Sequence, residues 1–235
     1  MKPCGRNVIF VMGVTACGKT TVGRCLQELL PDARFLDAGR NSRWASRGRA
    51  VPRRADDYHS DDAKTKIRAG TPLTDGDREP WLERVRDAAV RLARETHPRD
   101  GSGSNVVVAC SALKREYRDR LRALCDGNAV ATWFVYLAAP REIIEVRLRQ
   151  RKGHFADRPT ILDSQFADLE PPEVGERAVV VDVATCSAQE AAANARRQLE
   201  NGKNVDSAGA RQPPAAGNSC PNGAPPWAKP RLEAS

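Results

Sequence analysis

The chain has no apolar run long enough to cross a bilayer, which excludes a helical membrane span, and no secretory leader pattern opens it. The cytoplasm is therefore the expected compartment. There is no C-x-x-C, and the seven cysteines (4, 17, 25, 110, 125, 186 and 220) are odd in number, so no paired disulfide framework is indicated. Cys25 and Cys110 lie in apolar contexts and read as reduced, buried thiols, which fits a reducing compartment. Cys17 reads as a small loop residue rather than a redox sensor. Internal repeats are absent, which argues against a solenoid. Aromatic residues are scarce at 5% and apolar residues make up 40% of the 235 positions, the composition of one globular domain with appendages. The net charge of +8 does not mark a nucleic-acid groove, because it is carried entirely by two irregular segments. Residues 39–55 hold six arginines and no acid, and residues 201–235 hold four basic and two acidic side chains.

What is present is an alternation of strand and helix patterns. Apolar stretches at Val8–Met12, Val106–Cys110, Ala131–Leu137 and Val179–Val181, with a short strand at Ala33–Leu36, read as strands, the continuous run Val106–Cys110 as one covered on both faces. Between them lie helical patterns. One follows the first strand, with Val22, Cys25, Leu26 and Leu29 on one face, and another begins near Asp61. A third starts at Pro80, where proline is tolerated, and presents Leu82, Val85, Ala89 and Leu92. Further helices cover Lys114–Leu124, Pro140–Arg151 and a final stretch with Ala188, Ala191, Ala195 and Leu199. Five such strands predict an α/β fold with a doubly wound, five-stranded parallel sheet. The domain is expected over 5–200, interrupted by an irregular insertion at 39–55. Beyond 201 the Pro-, Gly- and Ala-rich chain reads as a disordered tail.

The most specific local signal is Gly13-Val14-Thr15-Ala16-Cys17-Gly18-Lys19-Thr20, followed by Thr21, which fits G-x-x-x-x-G-K-[ST] between a strand and a helix. Loop amides and the positive helix end converge on anionic oxygens there. Lys19 is placed to reach the β/γ-phosphates of a nucleoside triphosphate, and Thr20 to hold Mg²⁺ through its hydroxyl. A guanine-reading N-K-x-D is missing, and the Asp100–Gly103 run that mimics a D-x-x-G switch has no strand before it. A small-molecule kinase is the indicated class.

Further motifs narrow this. Asp56-Asp57-Tyr58-His59, then Lys66, then Gly70-Thr71-Pro72-Leu73-Thr74-Asp75-Gly76-Asp77-Arg78-Glu79-Pro80-Trp81-Leu82 resemble the gluconokinase family. So do Cys110-Ser111-Ala112-Leu113-Lys114-Arg115-Glu116-Tyr117-Arg118, Arg151-Lys152-Gly153-His154-Phe155, and Leu162-Asp163-Ser164-Gln165-Phe166 with Leu169-Glu170. The resemblance covers about residues 7–185 apart from the insertion. It implies transfer of the γ-phosphoryl of ATP to the terminal hydroxyl of D-gluconate, giving 6-phosphogluconate for the pentose phosphate pathway. It also implies a fold like shikimate and adenylate kinases with a lid over ATP at 152–166, and a homodimer. Neither nucleic acid nor membrane is an implied partner.

The same resemblance implies the roles. Asp37, at the end of the second strand, helps order Mg²⁺, and Asp56 takes or orients the proton of the acceptor hydroxyl. Arg147 and Arg151, four apart on one helix face, reach toward the lid and, with His154, the transferring group. Gluconate needs cations and hydrogen-bonding groups: Arg78 for the carboxylate, Lys114 and Arg115 as further cations, His59 for a hydroxyl. Surface ion pairs of Arg78 with the nearby Asp75, Asp77 and Glu79 are the structural alternative. Gln165 and Ser164 help order the lid.

Three departures from the family pattern bear on this. Residues 39–55 separate Asp37 from Asp56; without them the chain reads F-L-D-A-D-D-Y-H, and the insert looks like translated non-coding sequence, with a surface loop as the competing reading. Ala63 stands where the family has Asn, and Ile67 where it has Met. A kinase for another small acid such as shikimate is disfavoured by the G-T-P-L and C-S-A-L-K-R blocks. An inactive nucleotide-binding protein is the reading that the insertion and Ala63 motivate.

Overall fold

The structure, a computed structural model, describes residues 6–38, 59–69, 71, 73–95, 104–126, 130–150, 159–173 and 175–205. Five strands, β1 (Arg6–Met12), β2 (Ala33–Asp37), β3 (Asn105–Ala109), β4 (Val130–Ala138) and β5 (Ala178–Asp182), form one sheet in the order β2-β3-β1-β4-β5. Every pairing is parallel. The three inner strands are the continuous apolar runs, because helices cover them from both sides. The edge strand β5 alternates instead, with Val179 and Val181 buried and Val180 exposed.

The pleat of β1 divides the core in two. Val8, Phe10 and Met12 face one side, where Phe10 stacks on Phe134 at 5.5 Å and packs with α3 (Asp75–Glu95) and α4 (Arg115–Asp126) through Trp81, Val85, Tyr117 and Leu121. Ile9 and Val11 face the other side, toward α1 (Lys19–Leu29), α5 (Arg141–Gln150), α6 (Pro159–Asp168) and α7 (Ala188–Val205), through Leu26, Ile144, Leu162 and Leu199. A short helix, α2 (Asp61–Ala69), precedes α3. The connections leaving β1 and β3 run in opposite directions, so a crevice opens between their carboxyl ends.

Three boundaries differ from the sequence expectation. The helix expected to start at Pro80 begins at Asp75, because Thr74 and Asp77 form a reciprocal cap. The Asp77 amide donates to Thr74 Oγ1 at 3.3 Å, and the Thr74 amide donates to Asp77 Oδ2 at 2.9 Å. The segment expected as lid at 152–166 contains a helix from Pro159 onward. The last helix continues to Val205, past the expected start of the tail. The insertion at 39–55 lies outside the described residues, as does the rest of the tail. No described helix is long and apolar enough to cross a membrane, and the five described cysteines are free thiols.

Candidate active site

The turn after β1 takes positive φ at three positions, two of them glycines that adopt it without strain. Gly13 sits at φ 138°, Ala16 at 58° and Gly18 at 103°, the last as the cap that opens α1. A Cβ on Gly13 would lie 2.9 Å from Cys17 Sγ and 3.0 Å from the Leu137 carbonyl, so the turn is tight against both its own loop and β4. Cys17 and Val14 are buried and Thr21 is exposed. The Lys19 ammonium lies back over the loop, donating to the carbonyls of Gly13 at 2.9 Å and Val14 at 2.7 Å. Thr20 Oγ1 donates to Asp37 Oδ2 at 2.9 Å, so the sequence places the hydroxyl and the acid in contact across the tips of β1 and β2.

Among the described residues no group of three or more His, Cys, Asp or Glu could hold a metal by itself. The Thr20–Asp37 pair is nonetheless an all-oxygen set at the loop, and it fits Mg²⁺, which prefers few protein oxygens plus water and phosphate. Next to it, at the end of β3, burial pushes the Cys110 thiol up to about 12. That thiol is an inert packing group, not a nucleophile.

A second polar cluster gathers the cations expected for the acceptor. Arg78 Nη1, on α3, donates to Asp168 Oδ2 at 2.9 Å and lies 3.5 Å from the Tyr117 hydroxyl. Lys114 Nζ binds both oxygens of Asp75, at 2.7 and 2.9 Å, and lies 3.7 Å from Asp168 Oδ1. Tyr117 donates its hydroxyl to Asp75 Oδ1. The hydrogen bond from Lys114, then that from Tyr117, holds the Asp75 carboxyl below its usual range, while the hydrogen bond to Asp75 raises Lys114. Two cations and two carboxylates thus balance one another. The partner of Arg78 is Asp168, ninety positions away, and not the adjacent acids.

His59 lies flat on Trp81, ring centroids 4.9 Å apart, and Trp81 Nε1 donates to the Ala38 carbonyl directly after Asp37. Burial, reinforced by Lys64, Arg78 and Arg84, pushes the His59 imidazole down to about 4, so it is neutral at pH 7. Its Nδ1 is buried with no hydrogen-bond partner among the described residues.

One cation expected at the acceptor points elsewhere. Arg115 is exposed; its guanidinium donates to Glu173 at 3.0 Å and pairs with Asp119 at 3.6 Å, while only its backbone amide joins the cluster's margin by donating to Glu170. Arg147, expected to reach toward the lid and nucleotide, donates to the carbonyl of Val183 just past the end of β5. Asp56, Arg151 and His154 lie outside the described residues.

The sequence did not reveal that Asp75 pairs with Lys114 and Asp168 with Arg78, nor the knot formed by Arg118. Arg118 is fully buried. Its Nε and Nη2 donate to the two oxygens of Glu176 at 2.7 and 3.0 Å, and its Nη1 donates to the carbonyls of Leu113 at 3.0 Å and Glu170 at 2.9 Å. The turn it holds includes Ala112 at φ 27°. The only sequence signal was the arginine closing the C-S-A-L-K-R-E-Y-R block.

The family model described as "AAA domain" matches residues 8–172. A Xenopus tropicalis protein named "Probable gluconokinase" is 38% identical over 187 residues, 75% of this chain and 85% of that protein. The thermoresistant gluconokinase of Escherichia coli K12 is 34% identical over 175 residues, 74% of this chain and 83% of the enzyme. The crystal structure of a gluconokinase from Sinorhizobium meliloti 1021 superimposes with a TM-score of 0.61 at 32% identity, covering 86% of this chain and 97% of that one. With a nucleotide-type loop, a parallel sheet in the right order and these relatives, the chain belongs to the gluconokinase family of P-loop kinases.

Proposed function

We propose that this protein transfers the γ-phosphoryl group of ATP to the terminal hydroxyl of D-gluconate, releasing ADP and 6-phospho-D-gluconate. One observation carries the reading: α6 touches the phosphate loop at Thr15 through Gln165 and the Arg78 cluster through Asp168, three positions later. Residues so spaced on a helix are neighbours. A phosphate-binding loop and a two-cation cluster therefore lie side by side, as an anionic acceptor beside a nucleotide requires.

Phosphoryl transfer depends on alignment and charge neutralisation. Lys19 leaves the Gly13 and Val14 carbonyls and meets the terminal phosphates, while the amides of the loop hold the remaining oxygens. Thr20 and Asp37 would hold Mg²⁺, whose charge offsets that of the phosphates when it is bound. Arg78 and Lys114 bind the carboxylate of gluconate, exchanging one carboxylate partner for another. The neutral His59 ring, with Nδ1 lacking a protein partner among the described residues, offers a hydrogen bond to the polyol. Asp56 accepts the proton of the attacking hydroxyl as its oxygen bonds to phosphorus and the bond to the ADP oxygen breaks.

The test is ADP release with gluconate, with shikimate and with no acceptor, on the full chain and on one lacking residues 39–55. Turnover that requires gluconate supports the proposal; turnover with shikimate alone, or none in a folded, ATP-binding sample, refutes it. Arg78→Ala is expected to raise the gluconate KM roughly 10- to 100-fold, the worth of a charge-assisted hydrogen bond, with the ATP KM little changed. Steady-state kinetics check this, and an unchanged gluconate KM would remove Arg78 from the acceptor site.

A further inference from the structure

Helix α6 makes two polar contacts that resemble what the substrates themselves would make. The Thr15 amide, a donor of the phosphate loop, donates to Gln165 Oε1 at 2.5 Å. One turn later the Asp168 carboxylate accepts from Arg78 at 2.9 Å and lies 3.7 Å from Lys114. An amide oxygen thus stands where a phosphate oxygen would, and a carboxylate stands where the acceptor's carboxylate would.

The helix that bears both groups is fastened as a unit. Ile161 and Leu162 are buried, Arg141 pairs with Asp163 and lies over the Phe166 ring at 5.4 Å, and the Glu170 amide donates to the Leu113 carbonyl at 3.0 Å. Gln165 cannot leave Thr15 by a large helix movement without disturbing Asp168 on Arg78.

We infer that Gln165 and Asp168 are internal stand-ins for the two substrates, and that their shared helix couples nucleotide binding to acceptor binding. A phosphate oxygen taking the Thr15 amide displaces Gln165. The resulting shift of α6 weakens the hold of Asp168 on Arg78 and Lys114, and the acceptor carboxylate then meets cations already partly released. By linkage the acceptor favours nucleotide by the same factor. Both are positioning residues; neither needs to touch a reacting atom. The acceptor half rests on the function proposed above, whereas the nucleotide half rests only on the Thr15 contact.

The measurement is calorimetric binding of the Mg²⁺ complex of adenosine 5′-(β,γ-imido)triphosphate to the full chain, with and without saturating gluconate, alongside thermal melts. In the natural protein gluconate is expected to tighten the nucleotide about five-fold, the worth of one neutral hydrogen bond. Gln165→Ala is expected to bind the nucleotide about five-fold more tightly without gluconate and to lose most of gluconate's further effect. Gln165→Glu, whose charge grips the Thr15 amide harder and repels phosphate, should bind it more weakly. Asp168→Asn should lower the gluconate dissociation constant. Weaker nucleotide binding by both Gln165 variants would make Gln165 an ordinary nucleotide ligand and overturn the inference, as would unchanged binding by Gln165→Ala. If gluconate binds to none of these proteins, the acceptor assignment and the coupling both fall, while the sign of the Gln165→Ala effect still decides the stand-in role at Thr15.

Discussion

Lys19→Ala is expected to lower kcat with gluconate by roughly 10²- to 10³-fold, the typical loss when one donor to developing transition-state charge is removed. The fold should survive. Lys19 spends its ammonium on two carbonyls of its own loop and supports no distant element through the bonds described for it. The loop keeps its shape through Gly13, wedged against Cys17 and β4, and through Gly18 at the mouth of α1. ADP release and a thermal melt on the same sample separate the two effects. A rate within ten-fold of the natural protein would show that the lysine does not meet the transferring phosphate.

Arg118→Met is expected to have the largest effect on stability, about 3–5 kcal/mol, since it removes the two-point cation of the buried Glu176 carboxylate and leaves only Arg122, at 3.7 Å, beside it. In a domain of this size that lowers Tm by roughly 10 °C. Three carbonyls also lose a donor or a near contact, at Ala112, Leu113 and Glu170, and the Ala112 turn is already held in an uncommon conformation. The same turn carries Lys114, so surviving enzyme should also bind gluconate more weakly. Adding Glu176→Leu should recover part of the stability by removing the under-compensated buried charge. Burial alone would raise the Glu176 carboxyl, but the Arg118 hydrogen bond, the Glu173 amide and the charges of Arg118 and Arg115 together outweigh it, and the group sits below its ordinary value of 4.5. This contribution to stability is therefore present above that value and lost as pH falls below it. Urea unfolding of the single and double variants checks this, and a single-variant loss under about 1 kcal/mol would contradict a tightly coupled pair.

The parts of the fold that were legible in the sequence are those where a local rule and the tertiary structure agree. The strands β1, β3 and β4 announce themselves because burial on both faces demands unbroken apolar runs, and the phosphate loop because its spacing is fixed by close backbone approach. Pro80 misled because proline suits a first helical turn, but the Thr74–Asp77 cap one turn earlier was the stronger start signal. The helix α6 was hidden in a segment resembling a lid; its apolar residues, Ile161, Leu162 and Phe166, give little periodic contrast with the positions between them.

Within the site, Thr20 meeting Asp37 followed from topology, since the start of α1 and the end of β2 lie at the same side of the sheet. The pairings of Arg78 with Asp168 and of Arg118 with Glu176 span ninety and fifty-eight positions. No spacing rule reaches so far, and acids adjacent in sequence were the natural but mistaken partners for Arg78. Arg147 illustrates a related limit: helix periodicity gives its face, yet the end of β5 supplies the carbonyl that captures it.

The central claim is that a nucleotide gripped by the turn after β1 faces a sugar acid held by Arg78 and Lys114. A crystal structure of the full chain with a non-hydrolysable ATP analogue and D-gluconate tests it most directly. The expected result is the gluconate carboxylate on Arg78 and Lys114, with its terminal hydroxyl oxygen about 3–3.5 Å from the γ-phosphorus and in line with the bond that breaks. Gluconate bound with its carboxylate away from both cations, or with that hydroxyl turned from the phosphate loop, would contradict the account.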